Sequence, residues 1–342
     1  MAHEIDQTTN AQGSAMFAYK PAWHGLGTVV QEAQSSREAL RLSGLDWDVN
    51  LTDLAADFGN DVPIENRYKP LDTHRATYRM DTGVALGAVG MRYRPLQNRE
   101  AFAWMDEVVG EELALWHTCG SLRGGRKVWM LAKLPGTVEV CNKDVLEKYV
   151  LITNSHDGTG AVRLFPTTVR VVCMNTLRLA MSKHDAEAKA AGDDGLPLGL
   201  KLFHTEGGLA KRVSQARRLL GVIGKTHDEF AQQATALMQR SMSSRAVSEY
   251  FGGLVADRSE RARGKVITSL WDRFAMPTNS DGFGANAWTA YNAASEYADH
   301  ELRVIGTGEK RAERKFQSAL FGTSHTFKER AWAAAVDMVT VA

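Results

Sequence analysis

The stretch LITNSHDGTGAVRLFPTTVRVVCMNTLRLAM, residues 151–181, decides how the chain divides. YVLITN at its start reads as a strand. SHDGTG has turn composition, because Asp and Asn bond their own backbone and Gly supplies positive φ. AVRLF reads as a second strand, which Pro166 ends. Thr167 or Thr168 then caps an expected helix. On that helix Val169, Cys173, Leu177 and Ala180 form an apolar stripe, and Arg170, Met174 and Arg178 a second one, four residues apart each time. The predicted order is strand, turn, strand, capped helix, with basic residues near the helix start.

The flanking sequence agrees with a strand-rich first half. In SSREALRLSG, Ser35 or Ser36 caps a short helix that Gly44 closes. RATYRMDTGVALGAVGMRY reads as a hairpin around Asp81-Thr82-Gly83. NREAFAWMDEVVG reads as a helix capped by Asn98, with Phe102, Met105 and Val109 at helical spacing. ALWHTCGSLRGGRKVWMLAKLPG is the clearest hairpin, since Gly124-Gly125 supplies the positive φ that a tight turn needs. Val128, Met130, Ala132 and Leu134 alternate onto one of its faces, and Lys127, Trp129, Leu131 and Lys133 onto the other.

Beyond residue 200 the pattern is helical, over about 207–221, 227–242, 259–275, 286–305, 308–321 and 326–340. The intervening SKHDAEAKAAGDDGLPLG ends in Gly, Asp and Pro, which is loop composition. The expectation is an α+β protein: a strand-rich domain over 1–181 with a hairpin-rich antiparallel sheet and a packed helix, a linker over 182–200, and a helical region over 201–342.

Bulk composition narrows the chemistry. The 342 residues carry 41 basic and 40 acidic side chains, so a nucleic-acid site has to be a local patch. Cys119, Cys141 and Cys173 show no CxxC spacing, which argues against a disulfide framework or a zinc ribbon. MAHEIDQTTN lacks the basic and apolar regions of a signal peptide. No apolar run approaches the roughly 20 residues that span a bilayer. A cytoplasmic protein with no membrane contact is expected.

Catalytic signatures are sparse. The histidines His24, His74, His117, His156, His184 and His204 show no metal-ligand spacing, and no HExxH appears. SLRGGRK is not GxxxxGK[ST], GLGTVV lacks the third glycine of a dinucleotide fingerprint, and no GxSxG occurs. No cofactor and no metal are expected, and an enzyme is the less favoured class. A nuclease or hydrolase reading stays open through His156, Asp157 and His24. It requires those side chains to converge, whereas the side chains of adjacent residues such as His156 and Asp157 diverge.

What remains is a basic and aromatic pattern. Arg75, Arg79, Arg92, Arg94, Arg123, Arg126, Lys127, Arg163, Arg170 and Arg178 lie in the first half, interleaved with Tyr78, Tyr93, Trp116, Trp129 and Phe165. Cationic tracks with stacking aromatics hold single-stranded nucleic acid, and the guanidinium fork suits phosphate. The alternative is a solvated sheet face over a core of aromatics.

PAWHGLGTVV, LSGLDWDVNL, YRPLQNREAFAWMDEVV, GSLRGGRKVWMLAKLPG, NAWTAYNAASEYADH and the 151–181 block together resemble the phage- and plasmid-borne domain of unknown function 932 family, from about Trp23 to Leu320. That resemblance implies a mobile genetic element in a bacterial cytoplasm, where recombination, replication and anti-defence genes are common. The element order is also similar to that of Rad52-like single-strand annealing proteins. Those hold single-stranded DNA with a β-hairpin and a basic groove, and assemble into rings or filaments without a nucleotide cofactor. The likeness implies a hairpin at Leu115–Leu134 and a binding site built from Arg123, Arg126, Lys127, Arg163, Arg170, Arg178 and Trp129. It implies single-stranded DNA, further copies of the chain, and host or phage replication proteins as partners. The rival expectation is an anti-defence module that inhibits a host enzyme through an exposed apolar patch.

Overall fold

The structure is a computed structural model. It describes residues 15–18, 28–30, 35–103, 105–106, 115–141, 143–158, 162–170, 176–178, 209–276, 282–302, 314, 318–319 and 322–340. Of these, 15–18, 28–30, 163, 169–170, 176–178, 209–220 and 222 are described in backbone only. The chain is α+β, with antiparallel sheets in the first half and helices in the second. It divides into two compact units, one of Met1–Lys133, Leu151–Leu164 and Ala188–Arg218, the other of Leu134–Val150, Phe165–Glu187 and Leu219–Ala342.

Ten strands are described: β1 (Ala15–Ala18), β2 (Thr28–Val30), β3 (Val49–Asp57), β4 (Tyr68–Arg79), β5 (Ala85–Gly90), β6 (Leu115–Leu122), β7 (Lys127–Val140), β8 (Asp144–Ser155), β9 (Arg163–Arg170) and β10 (Thr176–Arg178). Seven form one sheet in the order β10-β9-β8-β7-β6-β1-β2, and three form another in the order β3-β4-β5.

In the first unit, local chemistry sets the elements. Helix α1 (Ser36–Leu42) starts at Ser35, whose hydroxyl accepts from the Glu38 amide, and Gly44 closes it at φ 67°. The β6–β7 hairpin turns at residues 123–126, with Gly124 and Gly125 at φ 70° and 93° as the sequence requires. Val128, Met130, Ala132 and Leu134 are all buried, as expected for one face. The β4–β5 hairpin turns where Asp81-Thr82-Gly83 predicts.

In the three-stranded sheet, β4 outruns β5. Strand β5 pairs with His74–Tyr78, while Tyr68, Lys69 and Pro70 pair with β3 alone. The β3–β4 register also steps between Asp53↔Arg75 and Ala55↔Pro70, so that Leu71, Asp72, Thr73 and His74 stand opposite Leu54. Residues 68–74 are exposed in succession, so this length of β4 is bare on both faces. A short helix, α2 (Ile64–Arg67), closes its end.

The expected helix after Pro166 is a correction. Residues 163–170 run on as strand β9, and β10 returns antiparallel to it with Arg178 opposite Thr167. Leu164, Phe165, Thr167 and Thr168 are all buried. A strand covered on both faces shows no alternation, and the β-branched run TTV favours extended backbone. Met174 and Cys173 of the expected stripes lie outside the described residues.

The second unit holds α4 (Leu209–Gln239) from Leu219 on, with α5 (Ser244–Leu254), α6 (Glu260–Ala275), α7 (Ala287–His300) and α8 (Thr323–Thr340). Helix α3 (Asn98–Ala103) belongs to the first unit. Two expected helices are one continuous α4, which passes through Gly221 and Gly224. Helix α5 has no counterpart among the helices expected from the sequence, although Ser243 caps it by accepting from the Ala246 amide. Helix α7 is buried on every side, and Trp288 at its start donates to the buried carboxylate of Asp144 at 2.9 Å. Phe230, Trp332 and Tyr291 pack around that indole. His227 is also buried here, its ring nitrogens 2.9 and 3.1 Å from the carbonyls of Ile223 and Thr167. Among the described residues no helix is long and apolar enough to cross a membrane.

Candidate nucleic-acid interface

The SHDG turn follows β8 and is sealed into the first unit. His156 is fully buried. Its amide donates to the Arg126 carbonyl at 2.8 Å, and its carbonyl accepts from the Thr77 hydroxyl at 2.7 Å. Its Nε2 lies 2.8 Å from Asn98 Oδ1. The Asn98 amide nitrogen donates to the Leu45 carbonyl, which assigns Oδ1 as the acceptor and puts the imidazole hydrogen on Nε2. Asn98 was expected to cap α3; instead it begins that helix, and its side chain orients the histidine. Burial pushes His156 down to about 4, with Asp157 acting weakly in the other direction.

Neighbouring residues close around it. The Trp47 ring is 5.4 Å from the imidazole, and the Arg79 guanidinium stacks on Trp47 at 4.4 Å. Arg79 forks onto Asp81 at 3.0 and 2.7 Å, and this guanidinium holds the Asp81 carboxyl below the usual range. A Cβ on Gly125 would stand 2.9 Å from the Trp47 ring, so the tip of the β6–β7 hairpin lies against that indole. A Cβ on Gly87 would stand 2.6 Å from Asp157 Cα. Gly87→Ala therefore forces β5 and the turn apart and should cost about 2 kcal/mol of stability, measured by urea unfolding against the wild-type protein.

This geometry makes His156 a structural residue. Its ring is buried and neutral, and Asp157 bonds the Ser155 hydroxyl at 3.0 Å. His24 lies outside the described residues. Among the described residues, no group of three or more His, Cys, Asp or Glu side chains is arranged to hold a metal ion.

Two segments bonded to this turn carry basic residues. Arg126, bonded through its carbonyl to His156, is exposed, as is Arg123. Lys127 is half-buried. The Tyr93 hydroxyl donates to the Ser155 carbonyl at 3.3 Å, next to His156 in the chain. Burial, then the Asp157 carboxylate, pushes the Tyr93 phenol up, so it stays a donor. Arg92 and Arg94 flank Tyr93 and are exposed. Arg92, Arg94 and Arg126 make no ion pair among the described residues. Two other arginines of the pattern are already neutralised, Arg75 by Asp53 and Arg79 by Asp81.

Other expected site residues fall elsewhere. Trp129 is 5% exposed, and its indole lies over Gly120 on β6, so it presents no open face for stacking. Trp116 and Phe165 are buried too. Arg163 opens β9, but its side chain lies outside the described residues, as do those of Arg170 and Arg178. Arg170 ends β9 and Arg178 ends β10, so the helix expected to carry both arginines is replaced by two antiparallel strands.

The family model for the domain of unknown function (DUF932) matches residues 85–321, more than half of the chain. The chain belongs to this family. No curated protein and no solved structure matches the DUF932 chain significantly. The matched span of the DUF932 domain holds Arg92, Arg94, Asn98, Arg126 and His156, whereas Trp47, Arg79 and the β3–β4 ribbon precede it.

Proposed function

We propose that this chain binds single-stranded nucleic acid and anneals complementary strands, as a cytoplasmic protein of a phage or plasmid. The observation that carries this reading is the set of three exposed, uncompensated arginines, Arg92, Arg94 and Arg126, held around one buried turn. Arg123 and Lys127 adjoin them on the hairpin. Guanidinium groups neutralise phosphates and release counterions, which needs no chemical step and no cofactor. Phosphate contacts without a stacking platform leave base edges free to pair with a second strand. Residue 167 lies in strand β9, and among the described residues the first helix after the sheet is α4, so the reading rests on the exposed arginines and not on element order.

The test is fluorescence anisotropy with a labelled 30-nucleotide strand. Binding at 50 mM salt should weaken steeply as salt rises, by about 0.7 in logarithmic slope for each phosphate neutralised. Two complementary labelled strands should pair faster with protein present and no nucleotide added. Undetectable binding at 50 mM salt would overturn the proposal.

A further inference from the structure

The end of the β3–β4 ribbon is an unusual surface. Phe58, Ile64 and Tyr68 are 55%, 80% and 54% exposed. Phe58 and Tyr68 are exposed aromatic side chains. Burying side chains of this size contributes about 25 cal/mol per Å² of apolar area, so leaving them bare at a projecting end favours a partner. Its charge says which kind. Arg67 is already forked onto Asp57 at 2.8 and 3.1 Å. Asp61 and Glu65 are exposed and make no ion pair among the described residues. Arg67 lies 5.1 Å over the Tyr68 ring and Lys69 5.8 Å over the Phe58 ring. Against the one cation unpaired among the described residues, Lys69, the end keeps two unpaired carboxylates, Asp61 and Glu65. This excess of negative charge fits a basic protein surface with an apolar centre better than a polyanion or anionic lipid.

Such a surface exists on the chain itself. Met91 is 51% exposed and stands beside Arg92 and Arg94. Both surfaces stay exposed within one copy, so the ribbon does not cover its own basic face. We propose that the ribbon end of one copy docks on the Met91–Arg94 face of a second copy, head to tail. A head-to-tail contact leaves each copy with one free ribbon and one free face, and builds a ring or an open filament. Since Arg92 and Arg94 are also the proposed phosphate contacts, docking and nucleic-acid binding compete. That competition rests on the nucleic-acid reading; the docking does not.

Sedimentation velocity of the full chain at 20 μM tests the docking. The wild-type protein should associate at 50 mM salt and dissociate at 500 mM, as expected of a charge-steered contact. Asp61→Lys with Glu65→Lys, both at exposed positions, should abolish association at 50 mM salt. The same variant should bind a 30-nucleotide strand at least as tightly as wild type. A monomeric wild-type protein at 50 mM salt, or unchanged association in the variant, overturns the docking. Capture of a host protein by a wild-type chain that stays monomeric overturns it too, and assigns the ribbon to that partner. Loss of association in the variant with no strand binding by either protein upholds the docking and removes the nucleic-acid reading.

Discussion

Acidification from pH 7 to pH 4 should remove about 3 kcal/mol of stability through His156 alone. The imidazole is neutral in the folded chain because burial pushes it down to about 4, whereas in the unfolded chain it titrates near 6.5. Between those values the unfolded state binds the extra proton, so stability rises with pH across that window. The contribution is fully present above about pH 6.5 and is lost as the pH falls through the folded value. His227, also pushed down chiefly by burial, adds in the same direction. The measurement is the urea midpoint at pH 7 and pH 4.5 for the wild-type protein and for His156→Gln, which keeps an amide donor toward Asn98 but cannot titrate. The wild-type protein should lose more stability than the variant over that range. Equal losses would show that His156 is not the group that titrates on unfolding. The turn also positions Arg126 and Tyr93, so strand binding should decline along with the fold.

Arg92→Ala, Arg94→Ala and Arg126→Ala combined should weaken single-strand binding by about 100-fold at 50 mM salt, since a charge-assisted bond contributes more than 1 kcal/mol. The logarithmic salt slope should fall by about 2, one step of about 0.7 for each lost phosphate contact. All three side chains are exposed, so the urea midpoint should stay within about 0.5 kcal/mol of wild type. The loss should be uniform across sequences, because phosphate contacts position without reading bases. Arg75→Ala is the internal control. That guanidinium is paired with Asp53, and its removal should leave affinity within about twofold. Unchanged affinity in the triple variant would clear these arginines of the role.

Features with local causes were legible in the sequence, and features with tertiary causes were not. Ser35, Gly44 and the Gly124-Gly125 pair act locally, so α1 and the β6–β7 hairpin could be read directly. AVRLF marks the start of β9, but its continuation past Pro166 could not be read, because burial on both faces erases the period that distinguishes strand from helix. The ribbon was hidden as well: Pro70 and alternating charges in VPIENRYKPLDTHR look like loop, and its pairing depends on β3, some 15 residues away. The arginines were visible as residue types, but their availability was not. Arg75 finds its carboxylate 22 residues away and Trp129 finds its cover across the hairpin, both of which are tertiary facts. Arg92-Tyr93-Arg94 carried a usable local signal, two cations around one aromatic, yet its value depends on a bond from Tyr93 to a residue 62 positions later.

The step in register at Leu71–His74 has a mechanical consequence. Four residues against one make a bulge, which bends a strand pair, and this bulge contains no glycine. Pro70 fixes one torsion on its outer side. The bend is therefore a stiff bracket rather than a tether, and in the docking proposed above it would set the pitch at which successive copies follow one another. A single glycine placed at Thr73 would loosen the bracket and leave every contacting side chain intact, turning an evenly spaced array into an irregular one.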